Sequence, residues 1–164
     1  MSMGDESKKT KLDNEELLAA EEATLQDISG VLEAMDTMEN YESYSVIRDG
    51  KELFSFRVRG LDDEEMDRCR SEATKYVRNK KMGGITMPTN FNTAKYNSLL
   101  IVQATHPDDK KYLWENKELQ KRADALTAYQ TVDRVLRAGE KERAIELIED
   151  LSGYESSIEI LKNS

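Results

Sequence analysis

This sequence contains few residues of the kind that perform covalent chemistry. Its 164 residues include one cysteine, Cys69, and one histidine, His106. A single cysteine cannot form a disulfide within the chain, and a nucleophilic cysteine needs a neighbouring base. The Ser/His/Asp, Cys/His, Walker and zinc-ligand patterns of common active sites are absent from the sequence. The sequence therefore predicts a protein that is not an enzyme and that holds neither a cofactor nor a metal ion.

Long apolar segments are also missing. No run approaches the roughly 20 apolar residues that a membrane-spanning helix needs. The first residues, MSMGDESKK, contain no apolar core of the kind found in secretory signals. With one cysteine and no such signal, a reducing cytoplasm is the expected compartment, and no membrane partner is expected.

Positive charge is scarce in the first quarter of the chain. Residues 1–40 hold 11 Asp/Glu and 3 Lys/Arg, whereas residues 41–164 hold 22 Asp/Glu and 21 Lys/Arg. The formal charge of −9 therefore belongs almost entirely to the N-terminus, which disfavours binding to nucleic-acid phosphates. We predict an acidic N-terminal arm (residues 1–38), a single α+β body (39–155) and a short tail (156–164).

The acidity also suggests an alternative function, a small acidic inhibitor that mimics DNA and binds an enzyme. Such a mimic needs carboxylates spread along one face of a folded domain. The near-neutral charge of residues 41–164 weakens this interpretation.

The N-terminal arm is predicted to contain an amphipathic helix. Asp13 or Asn14 is suited to cap it, and the helix is expected to run to about residue 35. Apolar residues recur in it at spacings of three, four and seven. This arm stripe consists of Leu18, Leu25, Ile28, Leu32 and Met35. Two interpretations remain open: the stripe packs on the protein's own core, or it binds another protein or a second copy of the chain.

A β-hairpin follows the arm. Residues 41–47 and 52–59 have strand character, with Phe54, Phe56 and Val58 alternating with polar residues around a turn at 48–50. A two-residue turn would pair Ser45 with Phe54, and a three-residue turn would pair Tyr44 with Phe54. We favour the three-residue turn because it gathers the aromatic side chains on one face.

The rest of the chain is predicted to be mainly helical. Asp62 and Glu65 form a capping-box pattern, and Met66, Cys69, Ala73, Tyr76 and Val77 fall on one side of the expected helix. Residues 79–90 are predicted to be a solvated loop, in which Lys80, Lys81, Met82 and Met87 are possible partner contacts. Further helices are expected after Asn92, Asn116 and Thr127, the last stopping at Gly139, and around residues 144–151. Cys69 is expected in the core, Trp114 in the core or capping it rather than at a binding hot spot, and His106 at a helix boundary before Pro107.

The order of these features resembles the XkdN-like tail assembly chaperones of contractile-tailed bacteriophages and their defective prophages. The similar segments are FRVRGLDDEEM at 56–66, YNSLLIV at 96–102, HPD at 106–108, KELQ at 117–120 and VLRAGE at 135–140. Together they place the resemblance over residues 40–155.

The resemblance implies a binding role in tail assembly. Members of this family are thought to bind the long, helical tape measure protein and to keep it soluble until the tail tube forms around it. The implied location is the cytoplasm of the bacterial host, and the protein is not expected in the mature virion. The arm stripe is the candidate partner-binding surface, and self-association is a further possibility.

Overall fold

The computed structural model describes residues 14–20, 28–36 and 40–154. The chain divides into two compact units, Met1–Thr37 and Met38–Ser164. In the first unit residues 14–20 and 28–36 are helical, within the region where the apolar spacing predicts a helix. Of the arm stripe, Leu25 lies outside the described residues.

The second unit is an α+β fold that is mainly helical, as predicted. Its strands are β1 (Glu42–Arg48), β2 (Lys51–Val58), β3 (Thr74–Asn79) and β4 (Ile85–Phe91). Its helices are α1 (Asp63–Glu72), α2 (Thr93–Ala104), α3 (Pro107–Tyr112), α4 (Lys117–Ala123), α5 (Ala128–Val135) and α6 (Ala138–Leu151). Among the described residues, β1 pairs with β2 and β3 pairs with β4, each as an antiparallel hairpin.

Four helices begin at the caps that the sequence predicts. The side chains of Asp62, Asn92, Asn116 and Thr127 each accept a hydrogen bond from a backbone N–H in the first turn of the following helix. In α1 the capping box is complete, because the Glu65 carboxylate also accepts from the Asp62 N–H. These bonds satisfy N–H groups that have no partner inside the helix, which is why short polar side chains predict helix starts well.

The register of the first hairpin differs from the favoured prediction. Arg48 pairs with Lys51 across a two-residue turn, and a β-bulge then shifts the ladder so that Val46 faces Phe54 and Tyr44 faces Phe56. Asp49 and Gly50 both have positive φ, as a two-residue hairpin turn requires. The expectation that the aromatic side chains share a face is correct, but the bulge achieves it rather than a longer turn.

The core lies between the first hairpin and the helices behind it. Trp114 and Phe56 are its largest fully buried side chains, and α2 packs against α5 and α6 beneath them. The other buried apolar residues of this cluster are Val46, Val58, Leu61, Met66, Cys69, Leu100, Ile101, Ala104, Val132, Leu136, Ala144, Ile145 and Ile148. The core positions predicted for Cys69 and Trp114 are confirmed.

Residues 73–91 are the largest correction to the sequence prediction. Helix α1 ends at Glu72, and Tyr76 and Val77 lie in strand β3 instead of continuing the helical stripe. The predicted loop at 79–90 is a 3-10 turn at Lys80–Met82 followed by β4. The spacing of Ala73, Tyr76 and Val77 suits a helix, but Thr74, Tyr76 and Val77 are β-branched or aromatic residues that favour strands.

The predicted end of the helix after Thr127 is also wrong. Helix α5 stops at Val135, and Gly139 lies in the first turn of α6 rather than at the end of α5. The start of α6 is marked by Glu140, because its carboxylate accepts a hydrogen bond from the Arg137 N–H at 2.8 Å.

An ion pair joins the first hairpin to α6. The Arg48 guanidinium donates to both oxygens of the buried Glu140 carboxylate, at 2.9 and 2.7 Å, and to the Val135 carbonyl at 2.8 Å. The Tyr44 hydroxyl donates to the Glu140 carbonyl at 2.8 Å. Hydrogen bonds from Arg48 hold the pKa of Glu140 at about 2, below its ordinary 4.5. This pair fixes β1 against the N-terminus of α6.

We expect the contribution of Glu140 to stability to depend on pH. Because its folded pKa lies below the unfolded value, the carboxylate stabilises the fold above pH 4.5, and this stabilisation is lost as the pH falls towards 2. Urea unfolding of the wild type and Glu140→Gln should therefore differ most near neutral pH. The difference should shrink steadily between pH 4.5 and pH 2, and a difference that does not change with pH would contradict this account.

Candidate partner-binding surfaces

The cysteine and the histidine are not assembled into a reactive pair. Cys69 is buried on α1, and burial, helped by Glu72 and Glu65, raises the pKa of its thiol to about 11. His106 caps α3, where its Nδ1 accepts from the Asp108 N–H at 3.1 Å. Its ring packs edge-on against Tyr41. The boundary position predicted for His106 is confirmed, and Cys69 is a core residue with a thiol unsuited to nucleophilic attack.

The acidic run at residues 62–65 stabilises the local structure. Besides capping α1, the Glu65 carboxylate accepts from Arg59 at 3.0 and 2.6 Å and from Gln103 at 2.8 Å. The hydrogen bond from Arg59 is the main reason that the pKa of Glu65 falls to about 2. Across residues 14–20, 28–36 and 40–154, no group of three or more His, Cys, Asp or Glu side chains is placed to hold a metal ion.

The arm stripe is exposed wherever the structure describes it. Leu18, Ile28, Leu32 and Met35 are between 40% and 63% exposed. Leu17 and Val31 are similarly exposed and widen the apolar surface beyond the predicted stripe. The surrounding segment is strongly acidic, because residues 14–36 contain seven Asp/Glu and no Lys/Arg. Exposed apolar side chains on two helical stretches, 14–20 and 28–36, therefore occur in a sequence of strong negative charge.

A second exposed apolar surface lies on β3 and β4, which we call the second hairpin (residues 74–91). Across the ladder Val77 faces Met87, and Asn79 faces Ile85. These apolar side chains therefore share one face with Lys75, while Tyr76 and Phe91 belong to the other face. The six large apolar residues of this region are each between 41% and 60% exposed: Tyr76, Val77, Met82, Ile85, Met87 and Phe91.

The second hairpin carries charge of the opposite sign to the arm. Residues 73–92 contain Lys75, Arg78, Lys80 and Lys81 and no Asp/Glu. A groove of about 470 Å³ runs along it and is lined by Val77, Arg78, Asn79, Lys80, Lys81, Met87, Pro88 and Thr89. The sequence predicts Lys80, Lys81, Met82 and Met87 as possible contacts but places them in a loop. Strand-forming residues on both sides of Gly83-Gly84 were the signal that could have found the hairpin.

Other features of the described chain do not suggest a second kind of site. No helix in the described ranges is both long enough and apolar enough to cross a membrane. A cavity of about 710 Å³ beside α2 and α5 is lined mainly by polar residues, including Lys95, Asp124 and Asp133. The two exposed apolar surfaces, one acidic and one basic, are the strongest candidates for contact with another protein.

Comparison with known proteins found one family model and one solved structure. The model, described as phage XkdN-like tail assembly chaperone protein, matches residues 28–162. The structure, titled as the crystal structure of the protein yqbn, is 16% identical with a TM-score of 0.42, over 70% of this chain and 87% of that one. Comparison with curated proteins found no match.

Proposed function

Because this chain belongs to the phage XkdN-like tail assembly chaperone family, we propose that its client is the tape measure protein, which it keeps soluble during tail assembly. The observation that carries this proposal is the exposure of Leu18, Ile28, Leu32 and Met35 on the helical stretches 14–20 and 28–36, within a sequence that is strongly acidic. Membership of the family indicates a binding protein rather than an enzyme. The client, the surface that binds it and the effect on its solubility are the proposed parts.

The physical basis is the mismatch between a long amphipathic helical client and water. Before the tube forms, the apolar face of such a client is exposed and favours aggregation. An amphipathic helix with apolar residues at positions i, i+4 and i+7, as at Ile28, Leu32 and Met35, can pack against that face. The seven carboxylates of residues 14–36 would then give the complex the net charge that opposes association between complexes.

We further propose where and when the protein acts. A chaperone of this kind works in the cytoplasm of the bacterial host, where the client is synthesised. It leaves when the tube replaces it around the client, so we expect it to be absent from the mature virion.

The arm stripe is tested by co-expression with the tape measure protein. Leu18→Gln, Leu32→Gln and Met35→Gln together remove apolar surface while keeping residues that favour helices. Each lost apolar side chain is worth roughly 1.5–3 kcal/mol when fully buried, so client affinity should fall roughly 100-fold or more. The soluble fraction of the client should fall with it. Deleting residues 1–38 should have the same effect while leaving the body folded.

The matched control carries the same kind of substitution outside the arm. Leu126→Gln and Tyr112→Gln also replace highly exposed apolar or aromatic residues, but on the body. These variants should solubilise the client as the wild type does. Equal solubilisation by the arm variant and the wild type would show that the stripe does not bind the client.

A further inference from the structure

We propose that the free edge of strand β3, in the second hairpin, binds an extended acidic segment of another protein as an added strand. The segment that fits this edge has two apolar residues with an acidic residue on either side. The contact uses the backbone and side chains of residues 74–79. It involves none of the arm residues proposed above to bind the client.

The two outer edges of the second hairpin differ in their ability to pair. In the described part of the chain β3 and β4 pair only with each other, so each strand has one free edge. The register leaves Thr89 as the extra residue of a β-bulge in β4, next to Pro88, which has no N–H to donate. Bulges and prolines are the features by which natural edge strands avoid pairing. Strand β3 has neither, so its edge is the one open to a further strand.

The backbone groups on the free side of β3 can be identified. The Ala73 and Asn79 carbonyls accept backbone hydrogen bonds at 2.9 and 3.0 Å from residues that flank β4. Because backbone groups of successive strand residues point to opposite sides, those of Tyr76 and Arg78 point to the free side. Within the described ranges, no backbone hydrogen bond reaches Tyr76 or Arg78 from outside the hairpin. An added strand would therefore meet two N–H donors and two carbonyl acceptors.

The side chains of β3 determine which segment fits. Lys75, Tyr76, Val77 and Arg78 follow one another as cation, apolar, apolar and cation, and all four are exposed. Neighbours across a sheet lie roughly 5 Å apart on the same face, so the favoured partner residues are acidic, apolar, apolar and acidic. This order is the same in both directions. The fit therefore holds for a parallel or an antiparallel segment.

The charge of the second hairpin also favours an acidic partner. Residues 73–92 contain no Asp or Glu. Among the described residues, no ion pair involves Lys75, Arg78, Lys80 or Lys81. Arg78 does donate to a backbone carbonyl at 3.2 Å, but that bond leaves its charge without a counter-ion. An acidic segment would supply the missing negative charges and give the contact its specificity.

Other occupants match this edge less well. Two copies of β3 paired edge to edge would bring the Lys75 and Arg78 cations of both copies together, and like charges across a sheet repel. The described stretches of the arm, 14–20 and 28–36, are helical, so their backbone groups bond within helices rather than with a strand. Anionic lipid or nucleic acid supplies negative charge but no strand backbone to pair with β3.

The first test measures peptide binding to the purified full-length chain by fluorescence anisotropy. The probe is a labelled, end-blocked peptide of ten residues with Glu-Val-Val-Glu at its centre and threonine elsewhere. It should bind with a dissociation constant below about 1 mM. A control peptide of the same composition, with Val-Glu-Glu-Val at its centre, should bind about fivefold or more weakly because its charges and apolar groups are out of order. The acidic arm repels both peptides alike.

Backbone pairing is tested separately from charge. N-methylation of alternate residues removes the N–H donors from one side of the peptide. Methylation of one alternate set should abolish binding, and methylation of the other set should leave it unchanged. When about nine-tenths of the protein is bound, hydrogen exchange of the Tyr76 and Arg78 amides should slow roughly tenfold. Amides on the free edge of β4 should exchange as before.

Charge reversal on the protein provides a test with its own rescue. Lys75→Glu with Arg78→Glu should weaken binding of the acidic peptide about tenfold or more, because two attractions become repulsions. Lys117→Glu with Lys121→Glu makes a similar change in net charge at exposed positions on α4 and should bind as the wild type does. A peptide with Lys-Val-Val-Lys at its centre should bind the hairpin variant more tightly than the α4 variant. A hairpin that had merely unfolded would not show this gain.

Several results would overturn the proposal. Absence of saturable binding of the Glu-Val-Val-Glu peptide up to about 1 mM would do so. Equal binding of the two acidic peptides, or binding that neither set of N-methyl groups affects, would do so too. Slow exchange of the Tyr76 and Arg78 amides without peptide would show that the edge is already occupied by a second copy or by the chain itself. Phosphatidylserine vesicles or a DNA duplex that bind the wild type but not the hairpin variant, when the peptide does not bind, would assign the surface to those ligands instead.

Discussion

Replacing Trp114 with alanine is expected to destabilise the body by about 3–5 kcal/mol. The Trp114 side chain is fully buried, and its ring packs edge-on against Phe56 at 5.2 Å and Phe54 at 6.5 Å between centroids. Its Nε1 donates to the Thr105 Oγ1 at 3.0 Å. The substitution therefore creates a large cavity beside the first hairpin and removes a buried hydrogen bond at the same time.

Urea denaturation followed by circular dichroism measures this effect without relying on the tryptophan signal. Tyr112→Ala is the matched control, because it removes an aromatic ring two residues away that is 74% exposed, and should change stability by less than about 0.5 kcal/mol. Trp114→Phe should lie between the two, since it keeps most of the apolar volume. A Trp114→Ala variant as stable as Tyr112→Ala would show that the hairpin does not pack on this ring.

Replacing Gly60 with alanine is expected to have the second largest effect. A Cβ at this position would lie 2.7 Å from the Leu151 carbonyl carbon, 3.0 Å from the Ser152 nitrogen, and closer still to the Leu151 oxygen. These are backbone atoms at the end of α6, so they cannot move aside as a flexible side chain would. Overpacking of this kind typically costs about 1–3 kcal/mol, and the rigid surroundings place this case at the upper end.

Gly139→Ala provides the comparison for Gly60→Ala. Gly139 lies in the first turn of α6, where an added Cβ meets only the Arg143 guanidinium at an ordinary 3.7 Å. Alanine favours helix over glycine, so Gly139→Ala should be neutral or stabilising. The melting temperature of Gly60→Ala should therefore lie below that of the wild type, and that of Gly139→Ala should equal or exceed it. Equal melting temperatures for Gly60→Ala and the wild type would contradict the close approach of Gly60 to the backbone of Leu151 and Ser152.

The parts of the fold that follow from local chemistry were predictable from the sequence. Asp62, Asn92, Asn116 and Thr127 mark helix starts because each side chain bonds a backbone group three residues away. Alternation of polar residues with Phe54 and Phe56 likewise indicates a strand with one buried face.

Features that depend on distant contacts were not predictable in the same way. The bulge in the first hairpin depends on which side chains pack in the core. No residue near Val46 or Ile47 in the sequence indicates a bulge there. The pair of Arg48 and Glu140 joins residues 92 positions apart. The sequence does not predict the second hairpin, because Ala73, Tyr76 and Val77 fit the spacing of a helix as well as the composition of a strand.

The two candidate surfaces also differ in whether the sequence alone predicts them. The arm stripe can be read from apolar spacing alone, and the structure leaves Leu18, Ile28, Leu32 and Met35 exposed. The surface of the second hairpin exists only once Val77, Ile85 and Met87 are paired across strands. A solvated loop with the same residues would present no continuous apolar face.

The close approach of Gly60 to the end of α6 has a consequence for biosynthesis. A ribosome releases the first hairpin long before it has translated residue 151. During this time the side chains of Phe54 and Phe56 in the nascent chain stay exposed to solvent. The body can close only when its last helix arrives, and contacts this far apart in the chain form slowly. The first hairpin is therefore expected to complete its packing only after α6 has been translated.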